Sequence, residues 1–403
     1  MKKIFLIFLF LLLLLPTKIN ALEYPNLHYQ KAIIYDLTDN KTLYELNSEE
    51  QVSIASLTKL LTIITAIEKN EDMYKKITYS QEMKNNVMWY ASVAGFRVGD
   101  VLTFEDLLYA AMLPSGADAT VALAITTSGS LESFVIEMNV LAKKIGMNNS
   151  NFVNVHGLDE DNHYSTAEDL RKLLEYSLEN EIFKKIYMTK EHTLSTGKTI
   201  KSTIKKTSDA AGINIDKILG SKTGTTGNAG LCISTLLMHE NHEIIIITLG
   251  APQEDKKPYN ITDALTLIEF IENNYHEQSL LQENKVIKKI KVKTSKQTEY
   301  EIKTNKNISM FLEDDYNKDL FKIEYSGLNE LSHKNKKGQK IGRVKYLYND
   351  KELSEEDLYL HEELEIDYSK ILKENKDVIL FGIIMFITTI VIVLSSIKVL
   401  TSN

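Results

Sequence analysis

The chain has 403 residues, 43% hydrophobic and 25% charged, with a formal charge of −8. This is globular composition, which excludes a collagen-like, Pro-rich or disordered chain, and an acidic balance without a basic tract argues against nucleic acid as a partner. The single cysteine, Cys232, excludes an intramolecular disulfide, a Cys-based zinc site and an iron–sulfur cluster.

Lys2 and Lys3 precede an unbroken apolar run from Ile4 to Leu15. As a helix this run rises only ~18 Å, too short for ~30 Å of hydrocarbon, so it reads as the core of a signal peptide. Cleavage is expected after Ala21, although Ile19 is not the small residue usual two positions earlier. Residues 1–21 are thus a leader and the body is exported. Residues 32–47 alternate apolar and polar around Thr38-Asp39-Asn40-Lys41, which predicts a β-hairpin. From Ser56, Leu57, Leu60, Leu61, Ile64 and Ile67 recur at helical spacing, and the chain stays mostly helical to about residue 190. Thr103-Phe104-Glu105-Asp106 resembles a capping box before a helix at 107–113, and a further amphipathic helix spans 132–144, ended by Gly146.

Strands return at 218–223, 230–238 and 244–249, the last two joined by a turn at His239-Glu240-Asn241-His242; a helix at 262–273 follows. Strands at both ends with helices between predict one α/β (α+β) domain over residues 22–275, whose first and last strands share a sheet. Residues 285–368 give short alternating runs, at Ile290/Val292, Tyr300/Ile302, Ile323/Tyr325, Val344/Tyr346/Tyr348 and Leu364/Ile366/Tyr368, as in a small all-β, sandwich-like domain. Val378 to Ile397 carries no charge and is long enough to cross a bilayer as one helix. With an exporting leader, the layout is a single-pass cell-membrane protein with an extracytoplasmic body.

Three segments carry chemistry. In Ser56-Leu57-Thr58-Lys59 the i, i+3 spacing on a helix start puts the Lys59 amine within reach of the Ser56 hydroxyl. A partly desolvated neutral lysine can take a serine proton, and free N–H groups at the helix start can meet an oxyanion. Ser-x-x-Lys recurs at Ser195/Lys198, Ser202/Lys205 and Ser395/Lys398, but only Ser56 opens directly onto an apolar helical run. Pro114-Ser115-Gly116-Ala117-Asp118 follows a helix and by itself reads as a turn with a side-chain cap. Ser221-Lys222-Thr223-Gly224-Thr225-Thr226-Gly227 lies on a strand leaving into a Gly-rich turn. Its cation, hydroxyls and glycine suit a strand edge that binds a peptide carboxylate.

In this order the three segments match the signature of penicillin-binding proteins and class A β-lactamases. The sequence resembles the serine D-alanyl-D-alanine carboxypeptidases, the low-molecular-mass penicillin-binding proteins, over about residues 30–270. The likeness extends through Val98-Gly99-Asp100, Asn154-Val155-His156-Gly157-Leu158-Asp159 and His163-Tyr164-Ser165-Thr166-Ala167. It continues weakly at Lys337-Gly338-Gln339-Lys340-Ile341-Gly342. The resemblance implies a penicillin-binding/β-lactamase-like fold that removes D-alanine from peptidoglycan stem peptides and is acylated by β-lactams. It implies Ser56 as nucleophile, Lys59 as its base and Ser115 as proton relay. Lys222, Thr223, Gly224 and Thr225 would bind substrate, and the N–H groups of Ser56 and Thr225 would form the oxyanion hole. No metal or organic cofactor is implied.

The chain departs from the pattern in three ways. Ala117 stands where the family usually has asparagine. An arginine often found after Gly250-Ala251-Pro252 is absent, with Lys256 or Lys257 the candidates to replace it. The C-terminal anchor spans instead of lying on the surface as an amphipathic helix. A serine β-lactamase is the nearest rival, disfavoured by the lack of a clear deacylating glutamate block. A non-catalytic stem-peptide-binding protein is the rival that Ala117 keeps open. Elsewhere, Gly197-Lys198-Thr199 lacks the earlier glycine of a phosphate loop, since His192 occupies that place. His239 and His242 read as exposed turn residues, and Cys232 as a buried core residue.

Overall fold

The computed structural model describes residues 24–401, so the expected leader lies outside the described residues. The chain forms two compact units, residues 1–276 and 277–403.

In the first unit, strands β1 (Lys31–Asp36) and β2 (Lys41–Leu46) form the expected hairpin. After a 3-10 turn at Ala55–Leu57 come α1 (Thr58–Glu68), β3 (Lys76–Thr78), α2 (Gln81–Asn85), β4 (Val101–Thr103), α3 (Phe104–Met112), α4 (Ala117–Ser128) and α5 (Leu131–Lys144). Then follow α6 (Ala167–Leu178), α7 (Glu181–Met188), β5 (Glu191–Thr193), β6 (Thr199–Lys201) and α8 (Thr203–Ala211). The unit closes with β7 (Gly220–Thr226), β8 (Gly230–His239), β9 (His242–Ala251) and α9 (Tyr259–Asn274). Their order in the main sheet is β2-β1-β9-β8-β7, so strands from the two ends of the unit pair directly, β1 antiparallel to β9.

Successive strand residues point to opposite faces, and Ala32 through Asp36 are all buried; both faces of the sheet are therefore covered. Helix α1 is apolar on nearly every side and buried from Thr58 to Ile67, as a central helix must be. Helix α3 starts at the expected capping box: Asp106 N–H donates to Thr103 Oγ1, and Thr103 N–H donates to Asp106 Oδ2. Strand β7 is one of the sheet's two edges, paired on one side only, with β8.

One expectation changes here. His242 is buried, its Nδ1 2.8 Å from Asp36 Oδ2, because the β8–β9 hairpin end packs onto the end of β1. Cys232 is buried as expected, and burial pushes its thiol up to about 12.

The second unit takes in most of β10 (Tyr275–Leu281), then β11 (Val286–Lys293), β12 (Glu299–Lys303), β13 (Ile308–Glu313) and β14 (Phe321–Gly327). It continues through β15 (Glu330–Ser332), β16 (Lys340–Tyr348) and β17 (Lys351–Tyr359). Two three-stranded sheets, β12-β11-β15 and β14-β16-β17, enclose Ile290, Val292, Ile302, Val344 and Tyr346. The expected strand at 364–368 is absent: Ile366 makes one isolated bridge to Ser295, and Tyr368 opens a short helix, α10 (Tyr368–Glu374). The chain ends in α11 (Lys376–Thr401), whose segment Lys376–Ile397 has a mean hydropathy of 2.9 and none of it buried. A fully exposed apolar helix of this length suits a membrane anchor.

Candidate active site

Ser56 sits in the 3-10 turn that leads into α1, one residue after Ala55, whose φ is +47°. Such a conformation is strained for a residue with a Cβ and persists only where its surroundings enforce it. The surroundings do so here. Thr58 Oγ1 donates to the Ala55 carbonyl at 2.9 Å, and Gly157 approaches so closely that a Cβ there would lie 1.9 Å from the Ala55 oxygen. His163 supports Thr58 from behind. Its Nδ1 accepts the Val153 N–H at 3.2 Å, so Nε2 carries the proton and donates to Thr58 Oγ1 at 2.8 Å. Burial lowers His163 to about 4, which keeps that neutral tautomer at neutral pH.

Lys59 Nζ lies 2.8 Å from Ser56 Oγ and donates to the His156 carbonyl at 2.5 Å. The side chain is deeply buried, and desolvation lowers its pKa to about 7 against the opposing pull of Asp118. An amine so placed is substantially neutral at physiological pH, as a base for serine must be. The 153–163 segment also grips α1 through a second carbonyl, with Val155 accepting from Thr62 Oγ1 at 2.8 Å.

Ser115 is not a cap. Gly116 is the N-cap residue of α4 and makes no side-chain cap bond, while Ser115 stands at φ +60°. Its Oγ accepts from Lys222 Nζ at 2.9 Å, and Lys222 also donates to the Thr223 carbonyl at 2.7 Å. Lys222 is buried, and desolvation followed by repulsion from Lys59 lowers its pKa well below the usual lysine value. Asp118 braces the segment in front of Ser115, accepting N–H bonds from Ala94 and Gly95 at 2.8 Å each and Phe96 at 3.2 Å.

Along β7, Gly224 packs against the turn that carries Ser56: a Cβ would meet Ala55 Cβ, the Ile54 carbonyl and Ser56 N, each at 3.0 Å. The glycine is explained by this close approach rather than by contact with a ligand. Thr223 Oγ1 lies 2.5 Å from Thr203 Oγ1 on α8. Asp159 pins the far end of the strand, accepting from Thr226 Oγ1 at 2.7 Å and Asn228 N–H at 3.1 Å. Beside the strand opens a cavity of about 530 Å³ walled by Thr223, Thr225, Gln253, Lys206, Lys256 and Lys257. Lys257 pairs with Asp255 at 3.5 Å.

The structure thus gathers the three sequence segments around one turn and one strand edge. A family model for D-alanyl-D-alanine carboxypeptidase matches residues 18–253. The chain belongs to this family. A second model, the C-terminal domain of penicillin-binding protein 5, matches residues 275–365. Among relatives, the D-alanyl-D-alanine carboxypeptidase DacF of Bacillus subtilis is 28% identical over 326 residues, covering 78% of this chain and 80% of the relative. DacC of Escherichia coli, with the same description, is 31% identical over 266 residues, covering 64% and 65%. Penicillin binding protein 5 of Haemophilus influenzae shares the fold with a TM-score of 0.61 at 23% identity, over 86% of this chain and all of that one. The Streptomyces K15 DD-transpeptidase matches with a TM-score of 0.56 at 26% identity, over 62% and 98%.

This member of the carboxypeptidase family is therefore a serine hydrolase with an α/β catalytic unit followed by a small β domain. The supporting residues Gly157, His163, Asp118 and Asp159 carry no role in the sequence motifs. Their only signal is that Gly157, Asp159 and His163 fall in blocks of family likeness.

Proposed function

We propose that this chain removes the C-terminal D-alanine from peptidoglycan stem peptides ending in D-Ala-D-Ala, through an acyl-enzyme on Ser56. The observation that carries the reading is the Ser56–Lys59 pair, 2.8 Å apart, set against the open edge of β7. The peptide lies along that edge as an added strand, its terminal carboxylate at Lys222, Thr223 and Thr225, with Lys256 on the outer wall. Neutral Lys59 takes the Ser56 proton as Oγ attacks the carbonyl of the penultimate D-alanine. The oxyanion is met by the Ser56 and Thr225 N–H groups, and Ser115 with Lys222 delivers a proton to the departing D-alanine nitrogen. Water then hydrolyses the acyl ester, and β-lactams acylate the same serine. The test is release of D-alanine from an acylated Lys-D-Ala-D-Ala peptide, abolished by Ser56→Ala.

Ala117, nearly fully buried, favours a second reading in which the site binds peptide or penicillin without turnover. Wild type is expected to turn over and Ala117→Asn to change the rate by less than ~10²-fold, the scale on which a single transition-state hydrogen bond acts. Acylation of Ser56 by penicillin, with no catalytic release of D-alanine from the peptide, would favour the binding protein.

The body is exported by residues 1–21 and held outside the cytoplasm by α11 as a single span. Truncation after residue 370 is expected to release the protein into the soluble fraction with unchanged peptidase activity. Membrane retention of that shorter chain in fractionation would show that the anchor lies elsewhere.

A further inference from the structure

The end of the β8–β9 hairpin gathers metal-ligating side chains that the catalytic site does not use. His239 closes β8, Glu240 takes the first position of the turn, and His276 follows α9 as the second residue of β10. One ligand atom from each of the three lies within 4.8 Å of the other two. Both histidines are half-buried and Glu240 is exposed, so the cluster is held on one side and open to solvent on the other.

The hairpin itself does not require these residues. Glu240 stands at φ +52° and Asn241 at φ +112°, in a two-residue turn whose first position ordinarily takes Asn, Asp or Gly. Glutamate gains nothing from that conformation, yet its carboxylate sits beside the two imidazoles. His239 is oriented as a ligand is. Its Nε2 lies 2.9 Å from the Tyr275 carbonyl, which can only accept, so Nε2 carries the proton and the neutral ring presents its electron pair at Nδ1. A backbone carbonyl holding the far N–H is a usual outer support of a metal-bound imidazole. The His239 and His276 rings stand 5.8 Å apart between centroids at 67°, edge to face rather than stacked. The neighbouring group of Asp36, Asp39 and His242 is different, because there the imidazole is already taken up by the Asp36 carboxylate at 2.8 Å.

We propose that His239, Glu240 and His276 form a zinc site that ties the β8–β9 turn to the exit of α9 and leaves a position open to water. Two imidazoles and one carboxylate suit Zn2+, whereas Mg2+ and Ca2+ take oxygen ligands. Ser234 of β8 pairs with Lys222, and His239 lies five residues further on, ~17 Å along the strand. The ion is thus remote from the catalytic edge, and its effect falls on stability.

The test uses the full chain in detergent, purified without a polyhistidine tag and stripped with EDTA. Calorimetric titration with ZnCl2 is expected to show one saturable ion per chain. Zinc at about 100 times its dissociation constant should raise the thermal midpoint of the catalytic unit by roughly 5–10 °C. His276→Ala is expected to weaken binding by at least ~10²-fold, beyond what loss of an outer-shell partner costs, and to abolish the thermal shift. Glu240→Gln, a change on an exposed turn, should weaken binding by ~10-fold or more, and it carries the test alone if His276→Ala does not fold. Wild type without saturable zinc binding, or either folded variant binding zinc as tightly as wild type, overturns the site.

Discussion

Lys59→Met is expected to slow penicillin acylation at pH 8 by ~10³-fold, within the range for removing a general base. Methionine keeps the buried aliphatic stem, so circular dichroism should be unchanged. The wild-type rate is expected to depend on pH in a defined direction. Burial lowers the Lys59 amine to about 7, and only the neutral form can accept the Ser56 proton. Acylation should therefore rise as pH increases through about 7 and flatten above it, and the methionine variant should lose that limb. Stopped-flow acylation with a fluorescent penicillin from pH 5 to 9 measures both. A variant that keeps most of its rate, or a wild type whose rate falls through pH 7, would remove Lys59 from the role of base.

Gly157→Ala is expected to be the most damaging single methyl in the catalytic unit. Gly157 has φ +83°, and the added Cβ would lie 1.9 Å from the Ala55 oxygen, 2.6 Å from its carbonyl carbon and 2.8 Å from Thr58 Oγ1. The 153–163 segment must move away, loosening the His156–Lys59 bond and the turn that carries Ser56. Overpacking and a left-handed alanine together cost roughly 2–5 kcal/mol, and acylation should fall by at least ~10²-fold. Gly212→Ala is the control: its φ is +66°, at the C-terminal end of α8, and nothing lies within 4 Å of the new carbon. It should lose only the backbone cost of about 1–2 kcal/mol and keep normal acylation. Urea unfolding and acylation rates on both variants separate steric intrusion from simple loss of a glycine.

The parts of the fold that periodicity could reveal were the hairpin at 32–47, the apolar helix after Ser56 and the return to strands near 220. Pairing of β1 with β9 followed from strands at both ends of one unit. What periodicity could not show is where polarity and partner disagree. Strand β17, Lys-Glu-Leu-Ser-Glu-Glu-Asp-Leu-Tyr, offers almost no apolar alternation and is a strand because β16 pairs with it along its length. The 364–368 run alternates well but has no neighbouring strand to complete a ladder. His242 looked like a turn residue because its partner, Asp36, lies 206 residues away in sequence.

The candidate site divides in the same way. Ser56 and Lys59 were legible because both lie on one local turn, whose geometry fixes their spacing. The bond from Lys222 to Ser115 crosses 107 residues and is visible in sequence only through family likeness. The strain at Ala55 and Ser115, and the His163–Thr58 support beneath it, arise from packing between segments. No local pattern encodes them.

The nucleophile assignment is tested most directly by intact mass and peptide mapping after incubation with benzylpenicillin. One adduct of one penicillin mass is expected on the peptide containing Ser56, absent in Ser56→Ala, and decaying with time as the ester hydrolyses. An adduct on another residue, or an adduct that persists in Ser56→Ala, would contradict it.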